Sequence, residues 1–218
     1  MKIQIVRDVL EANDQLADAI RGECKKFGFI LINIMSSPGS GKTRVLESVI
    51  PELKKKGIRL AVIEGDITTT VDAERIARLD IPVAQINTEP FGGDCHLGAE
   101  VIMPALHQFN LSNIDLVFIE NVGNLVCPAE FDTGANYNFV VISTTEGEDK
   151  PLKYPLMFRV CDTAIINKVD LLPYLDIDIN KLEKNITQIN PQIHLMSCSA
   201  KNGKNIPEIA QYLFNIVK

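Results

Sequence analysis

Residues 36–43 read S-S-P-G-S-G-K-T, between an apolar run, Phe29–Met35 (F-I-L-I-N-I-M), and a helix-like segment, Arg44–Lys56. A strand, a glycine-containing turn and a helix in that order form a phosphate cradle. Backbone N–H groups of the turn and the positive end of the helix dipole face an anion. Gly39 and Gly41 let the backbone approach phosphates with no Cβ in the way. Pro38, Ser40 and Arg44 are the further residues of this nucleotide-binding turn. Lys42 is placed to reach the β- and γ-phosphates and stabilise charge on the transferring group, and the Thr43 hydroxyl to bind Mg²⁺. The usual pattern, G-x-x-x-x-G-K-[ST], begins here with Ser36 instead of Gly. The flanking strand and helix restore the specificity which that departure removes, and disfavour an incidental Gly-Lys-Thr.

The 218 residues suit one α/β domain with a short appendage, and 46% hydrophobic content is enough for a full core. A net charge of −6 makes nucleic acid a poor main partner. No apolar run approaches the ~18–20 residues of a membrane span. The start, M-K-I-Q-I-V-R-D, lacks the apolar core of a secretion signal, so a cytoplasmic location is expected. Five cysteines (Cys24, Cys95, Cys127, Cys161 and Cys198) are an odd count. In a reducing compartment that argues against a disulfide framework and leaves metal binding or burial.

Residues 1–27 read as one amphipathic helix, with Val6, Val9, Leu10, Leu16, Ala17, Ile20, Cys24 and Phe27 largely at three- and four-residue spacing and Gly28 as its stop. It precedes the first strand, so residues 1–28 form an appendage to a nucleotide-binding domain over 29–218. Packing on the sheet is favoured over packing on a partner. Six further apolar runs follow: Leu60–Ile63, Ile81–Ile86, Leu116–Ile119, Phe139–Ile142, Ala164–Ile166 and Ile193–Met196. Near-continuous apolar strands separated by helix-length segments predict a mostly parallel seven-stranded sheet flanked by helices. The helices expected after the first are Val71–Leu79, His96–Phe109, Ile179–Ile189 and Ile206–Val217. Pro51 and Pro104 fall inside helical readings and are expected to kink or end them.

Asn167–Asp170 reads N-K-V-D after the strand Ala164–Ile166. A carboxylate at Asp170 accepts from the guanine ring N–H and exocyclic amine, a donor pair that adenine does not offer there. Asn167 and Lys168 brace the base and the phosphate turn, and Ser199-Ala200-Lys201 either forms a second base-contacting loop or is an ordinary loop. Leu116–Gly123, L-V-F-I-E-N-V-G, puts Glu120 at a strand end, where it can hold the Mg²⁺ shell, and Gly123 where its backbone can meet the γ-phosphate. Glu64-Gly65-Asp66 ends another strand in the same style. Asp66 or Asp72 is the candidate to touch Mg²⁺ or orient the attacking water. Asp72 has a second reading, as an acid favoured by a helix N-terminus.

Cys95 and His96 are adjacent, and Cys127 lies just past Glu120–Gly123. Thiolate and imidazole suit Zn²⁺ or Ni²⁺. Three ligands are one short of a closed tetrahedral site. The fourth is water, a backbone atom or a residue of another subunit. Burial as core is the alternative for these cysteines, but the proximity of Cys127 to the γ-phosphate segment would couple a metal to the nucleotide state. Cys24, Cys161 and Cys198 sit in apolar settings and read as core, and His107 and His194 as structural.

These segments together resemble the HypB family, hydrogenase maturation GTPases that serve nickel insertion. The matching stretches are 36–43, G-D-I-T-T-T-V-D-A-E-R (65–75), C-H-L (95–97), F-I-E-N-V-G-N-L-V-C-P (118–128), S-T-T-E-G-E-D-K (143–150) and N-K-V-D-L-L-P-Y-L (167–175). The resemblance implies a P-loop GTPase of the signal-recognition-particle and MinD (SIMIBI) class with slow hydrolysis and a GTP-favoured homodimer. It implies Ni²⁺ or Zn²⁺ at Cys95, His96 and Cys127, and partnership with a HypA-type zinc-bearing accessory protein and the [NiFe] hydrogenase large subunit. The chain departs from some members in lacking an N-terminal Cys-x-x-Cys-Gly-Cys site and a histidine-rich store; it has three histidines in all. Nickel handling would then rest on the GTPase-domain site. Lys153, after Thr144-Thr145-Glu146-Gly147, is a candidate to reach a partner's nucleotide in trans. Leu171 and Leu175 suit dimer contacts or core packing equally.

The expectation is a GTP-hydrolysing metallochaperone. Its rivals are a urease-type nickel GTPase, which carries Cys-Pro-His instead, an ATP-dependent small-molecule kinase or ligase on the same fold, and a nucleotide-binding scaffold without meaningful turnover.

Overall fold

The computed structural model describes residues 7–66, 70–89 and 95–218. Residues 1–6 of the expected N-terminal helix, Val6 among them, and residues 67–69 of the 65–75 stretch lie outside it. In chain order the elements are α1 (Arg7–Phe27), β1 (Ile30–Ser36), α2 (Lys42–Lys55), β2 (Leu60–Asp66), α3 (Val71–Ala77), β3 (Val83–Asn87), α4 (Ala99–Leu106), β4 (Leu116–Glu120) and β5 (Tyr137–Ser143). They continue with α5 (Lys150–Lys153), α6 (Pro155–Val160), β6 (Thr163–Asn167), α7 (Ile179–Ile189), β7 (His194–Ser197) and α8 (Ile206–Val217).

The seven strands run in the order β3-β2-β4-β1-β5-β6-β7, and every pair is parallel. The expected α/β sheet is therefore correct in strand number and direction. Its near-continuous apolar strands divide by alternation. Ile32 and Ile34 of β1 face α2 and α8, whose Val45, Leu46, Val49, Ile50, Ile209 and Leu213 complete one core. Leu31 faces the opposite side, where α1 contributes Ala17, Ile20 and Cys24, and α4 contributes Ile102 and Leu106. Met35 joins a third cluster with Phe158 of α6 and Ile186 of α7. Both faces are covered, so the strands need no polar alternation.

β1 lies between β4 and β5. The chain leaves β1 toward one side of the sheet for β2 and returns to the other side for β5. At such a switch point the loops at the strand C-termini part and leave a crevice. The 36–43 turn opens into it.

α1 packs on the sheet instead of projecting from it. Gly28 ends it as expected: at φ 73° its N–H reaches the Cys24 carbonyl at 2.9 Å. The loop leading into β5 closes over the helix so tightly that a Cβ on Gly134, at φ 73°, would stand 2.5 Å from the Ala17 carbonyl oxygen and 2.7 Å from Ile20 Cβ. Gly134→Ala should therefore lower stability by about 2–4 kcal/mol, left-handed backbone strain and overpacking combined. Urea unfolding measures it.

Several boundaries differ from the sequence reading. Pro51 and Pro104 end neither helix; α2 and α4 run through them. Each removes only one backbone donor, and the buried apolar face on either side holds the helix together. The helix expected over His96–Phe109 is confined to Ala99–Leu106, because Gly98 is its N-cap and 107–109 form a turn. β3 begins at Val83, since Pro82 uses its carbonyl to accept from Val62 N–H and has no N–H for the ladder. α5 and α6 were not anticipated. Pro151 and Pro155 stand in their first turns, where proline starts a helix. None of the described helices is long and apolar enough to cross a membrane.

Candidate nucleotide and metal site

The 36–43 turn is held from two neighbouring segments. Gly39 (φ 73°) and Gly41 (φ 94°) take left-handed conformations, and Gly41 is the N-cap of α2. No side chain caps that helix, so its first N–H groups remain available to an anion. From β6, the Asn167 side-chain amide donates to the Ser40 carbonyl at 3.0 Å and Lys168 Nζ to the Gly39 carbonyl at 2.7 Å. From β5, the Glu146 carboxylate accepts from both Ser37 and Ser40 hydroxyls, the latter at 2.8 Å. Glu146 also accepts from the Ser143 backbone N–H at 2.8 Å. It braces the turn from behind, a role the sequence reading did not assign to it.

Beside the turn lies a cavity of about 270 Å³ lined by Pro38, Gly39, Lys42, Glu64, Gly65, Asp66, Asp72, Glu120, Val122 and Gly123. The structure thus brings Lys42, Asp66, Asp72, Glu120 and Gly123 together from four separate segments. Thr43 Oγ1 donates to Glu120 Oε1 at 2.6 Å, and Lys42 Nζ stands 4.0 Å from the same oxygen. Gly123 lies against the turn: a Cβ there would be 3.1 Å from Pro38 Cα. Asp72 sits in the first turn of α3 and pairs with Arg75 at 2.6 Å. Arg75 in turn pairs with Glu47 of α2 at 2.6 Å.

Glu64 is the residue that sequence reasoning passed over in favour of Asp66. The register pairs Glu64 with Glu120 on adjacent strands, and both are buried. Burial, then the charges of Glu120, Asp66 and Asp72, push the Glu64 carboxyl up to about 8. Burial also raises Glu120, against the pull of Lys42. Among the described residues, each carboxyl leaves one buried oxygen, Oε2, with no hydrogen-bond partner. Orphaned buried carboxylate oxygens beside a threonine hydroxyl are a donor set suited to a hard divalent cation such as Mg²⁺.

The residues expected at the base lie at the end of β6 and in the loop after β7. Asn167 Oδ1 accepts from Ala200 N–H at 3.1 Å, and Ser199 Oγ donates to Asp170 Oδ1 at 2.5 Å. Asp170, Ser199 and Ala200 therefore belong to one assembly with the phosphate turn, through Asn167. Lys201 is exposed in the turn that follows. Arg44 points along the outside of α2 to Glu47 at 3.2 Å, and Lys153 pairs with Asp149 at 2.7 Å on the surface; neither lines the cavity. Leu171 and Leu175 are half-buried.

Cys95 and Cys127 are neighbours. The adjacent Cys127 sulfur, and then burial, hold the Cys95 thiol above its ordinary value. His96 stacks on Phe131 with ring centroids 3.8 Å apart, and its buried Nδ1 has no hydrogen-bond partner among the described residues. Among the described residues, no three Cys, His, Asp or Glu side chains converge closely enough to hold a metal ion. The pair is assembled and the imidazole is near it in the chain, but the triad is not closed. Cys24 and Cys198 are buried, their thiols pushed up to about 12 by desolvation, and burial likewise raises the Cys161 thiol. They are core, as expected. His107 lies 3.9 Å from Glu23, and His194 stacks on Tyr212 at 4.4 Å.

Asn121 links the two regions. Its Oδ1 accepts from Leu97 N–H at 3.0 Å and Val122 N–H at 2.9 Å, and its Nδ2 donates to Asn33 Oδ1 at 3.1 Å. Leu97, immediately after Cys95-His96, is fully buried against Gly65, where a Cβ would meet it at 2.6 Å.

Comparison with known proteins agrees with this geometry. Residues 30–197 match the family model described as CobW/HypB/UreG, nucleotide-binding domain. The hydrogenase maturation factor HypB of Escherichia coli K12 is 43% identical over 211 residues, covering 97% of this chain and 71% of that protein. The crystal structure of HypB from Archaeoglobus fulgidus superposes with a TM-score of 0.88 at 37% identity, covering 96% of this chain and 100% of that one. HypB from Helicobacter pylori, solved in complex with nickel, gives 0.87 at 35% identity, covering 94% of this chain and 95% of that one. With the phosphate turn, the base-end assembly and the Cys95–Cys127 pair already in place, the chain belongs to the CobW/HypB/UreG family of nucleotide-binding proteins, in its HypB branch of hydrogenase maturation factors.

Proposed function

We propose that this protein hydrolyses GTP and uses the cycle to control a nickel ion, its cargo, held at Cys95, His96 and Cys127 for delivery to [NiFe] hydrogenase. The observation that carries the coupling is the Asn121 side chain. It is bonded at once to the segment beside the phosphate turn, through Val122, and to the Cys-His loop, through Leu97. A γ-phosphate arriving at Gly123 meets a backbone seated so close to the turn that a Cβ on Gly123 would stand 3.1 Å from Pro38 Cα, and it shifts that backbone. Asn121, two residues earlier, transmits that displacement to Leu97, and Cys127, four residues later, moves on the same strand exit. Buried bonded contacts of this kind pass on a shift instead of absorbing it.

At the nucleotide, the N–H groups of the turn and Lys42 stabilise the phosphoryl oxygens, and Asp66 or Asp72 orients the attacking water. Asp72 keeps its alternative role as a helix-terminal acid. Thr43, Glu120 and Glu64 would hold Mg²⁺, which neutralises phosphate charge when bound. Asp170 selects guanine, with Asn167, Lys168, Ser199, Ala200 and Lys201 around the base. GTP favours a homodimer in which Lys153 of one copy approaches the other's nucleotide and the metal site gains its missing ligand. A HypA-type accessory protein and the hydrogenase large subunit are the partners in transfer. Zn²⁺ competes for the same thiols.

The test is titration of the protein with Ni²⁺ and Zn²⁺ in its GDP-bound and GTP-analogue-bound forms, with Cys127→Ala as control. A difference in affinity between nucleotide states that vanishes in the variant is expected. Tight binding in neither state, or an indifferent variant, would make Cys95, His96 and Cys127 structural residues.

A further inference from the structure

α1 buries an amide where packing alone calls for a hydrocarbon. Asn13 is 5% exposed, on the same face as Ala17, Ile20 and Cys24, and is the buried polar residue among the described side chains of α1. Burying an amide is unfavourable unless its donors and acceptor are met. Here they are met by two loops from distant parts of the chain. Asn13 Oδ1 accepts from Ala99 N–H at 3.0 Å, and Asn13 Nδ2 donates to the Asp132 carbonyl at 2.9 Å. Ala99 opens α4, directly after Cys95-His96-Leu97-Gly98, and Asp132 follows Cys127 by one short loop.

The chemistry at Ala99 explains the need. Gly98, the N-cap of α4, has no side chain, so the first N–H groups of α4 lack a cap of their own. Asn13 supplies that cap from another helix. The same amide group then fixes the Cys127 loop on its other side. Arg21, two turns along α1, adds a 2.5 Å contact to the Asp132 carboxylate, and Gly134 seats the loop against Ala17 and Ile20. Phe131, next to Asp132, is the ring on which His96 stacks. One side chain therefore spans the two loops that carry all three candidate metal ligands.

We infer that Asn13 is a positioning residue for the metal site, and that its two bonds, by setting the separation of the Cys95-His96 loop from the Cys127 loop, govern nickel affinity, whereas the general packing of α1 does not. This rests on the reading that those three residues hold nickel. Asn13 is not among the described residues that line the nucleotide cavity, and both of these bonds go to loop backbone, so its removal acts through the loops.

The experiment titrates the full chain with Ni²⁺ and follows the thiolate-to-nickel charge-transfer absorption. It compares the unmodified protein with Asn13→Ala, Asn13→Asp, Ile20→Val and Cys127→Ala, alongside GDP affinity and thermal midpoint. Asn13→Ala is expected to weaken Ni²⁺ binding by about 10–100-fold, the range for residues that orient metal ligands, and to shift the absorption band, with GDP affinity unchanged. Asn13→Asp keeps the acceptor for Ala99 but sets a carboxylate against the Asp132 carbonyl, and is expected to lose nickel affinity as well. Ile20→Val lowers the thermal midpoint through the same helix face without touching either bond, and is expected to keep nickel affinity. If Asn13→Ala binds nickel like Ile20→Val while Cys127→Ala abolishes binding, Asn13 is only a packing residue and the metal reading stands. If Cys127→Ala binds nickel unchanged, the metal reading falls, and this inference falls with it.

Discussion

Replacing Lys42 with alanine is expected to lower nucleotide turnover by roughly 10²–10³-fold, the usual loss when one preorganised group facing developing phosphoryl charge is removed. The side chain is positioned for that effect by its surroundings. It lies in the cavity with Glu64, Asp66, Asp72 and Glu120, and Glu120 is its nearest carboxylate partner at 4.0 Å. Without Lys42 the described residues that line the cavity include four acids and no cation. A triphosphate entering it would meet more like charge than it does beside Lys42. The loss should therefore fall more heavily on the triphosphate than on the diphosphate, whose β-phosphate still has the N–H groups of α2. Single-turnover hydrolysis, with separate measurement of GDP and GTP-analogue affinity, checks this. Equal weakening of both nucleotides with unaltered turnover would show that Lys42 provides binding only, and the phosphoryl-transfer role assigned to it would be wrong.

Asp170→Asn is expected to weaken GTP binding by about 10²-fold and to bring xanthosine triphosphate up to comparable affinity. The carboxylate offers two acceptors to the ring N–H and exocyclic amine of guanine. The amide offers one acceptor and one donor. Facing guanine, the amide N–H₂ and the exocyclic amine are two donors with no acceptor between them, a mismatch of about 1–3 kcal/mol. Facing xanthine, whose 2-position is a carbonyl, the same amide is complementary. The fold supports a clean exchange: Ser199 Oγ already donates to Asp170 Oδ1 at 2.5 Å, and the asparagine carbonyl can accept that bond while its nitrogen turns to the base. Competition among GTP, xanthosine triphosphate and ATP, read by calorimetry, measures it. ATP binding the unmodified protein as tightly as GTP would favour the kinase or ligase alternative instead.

The strands, the phosphate turn and the motif at 167–170 were legible because each is local. Apolar runs bounded by glycine, proline and helix-length segments fix a buried parallel sheet, and S-S-P-G-S-G-K-T needs only its own strand and helix to make an anion cradle. The prolines show the limit of that reading. Pro51 and Pro104 read as breakers, yet both are tolerated because buried faces on either side hold their helices, while Pro151 and Pro155 begin helices the reading missed.

What the sequence by itself determined, then, was the architecture, a phosphate-cradling turn and the kinds of residue able to hold a metal, since these depend on periodicity and on short spacings. What only the tertiary structure decided was which of those residues meet. The pairing of Glu64 with Glu120 follows from strand register. The brace from Glu146 to Ser37 and Ser40, the bond from Asn121 to Leu97, and the span of Asn13 from Ala99 to Asp132 join segments tens of residues apart or more. Such bonds leave no periodic trace in the chain. They exist because a buried polar group must find a partner, and the partner it finds is set by which loops the sheet order brings together.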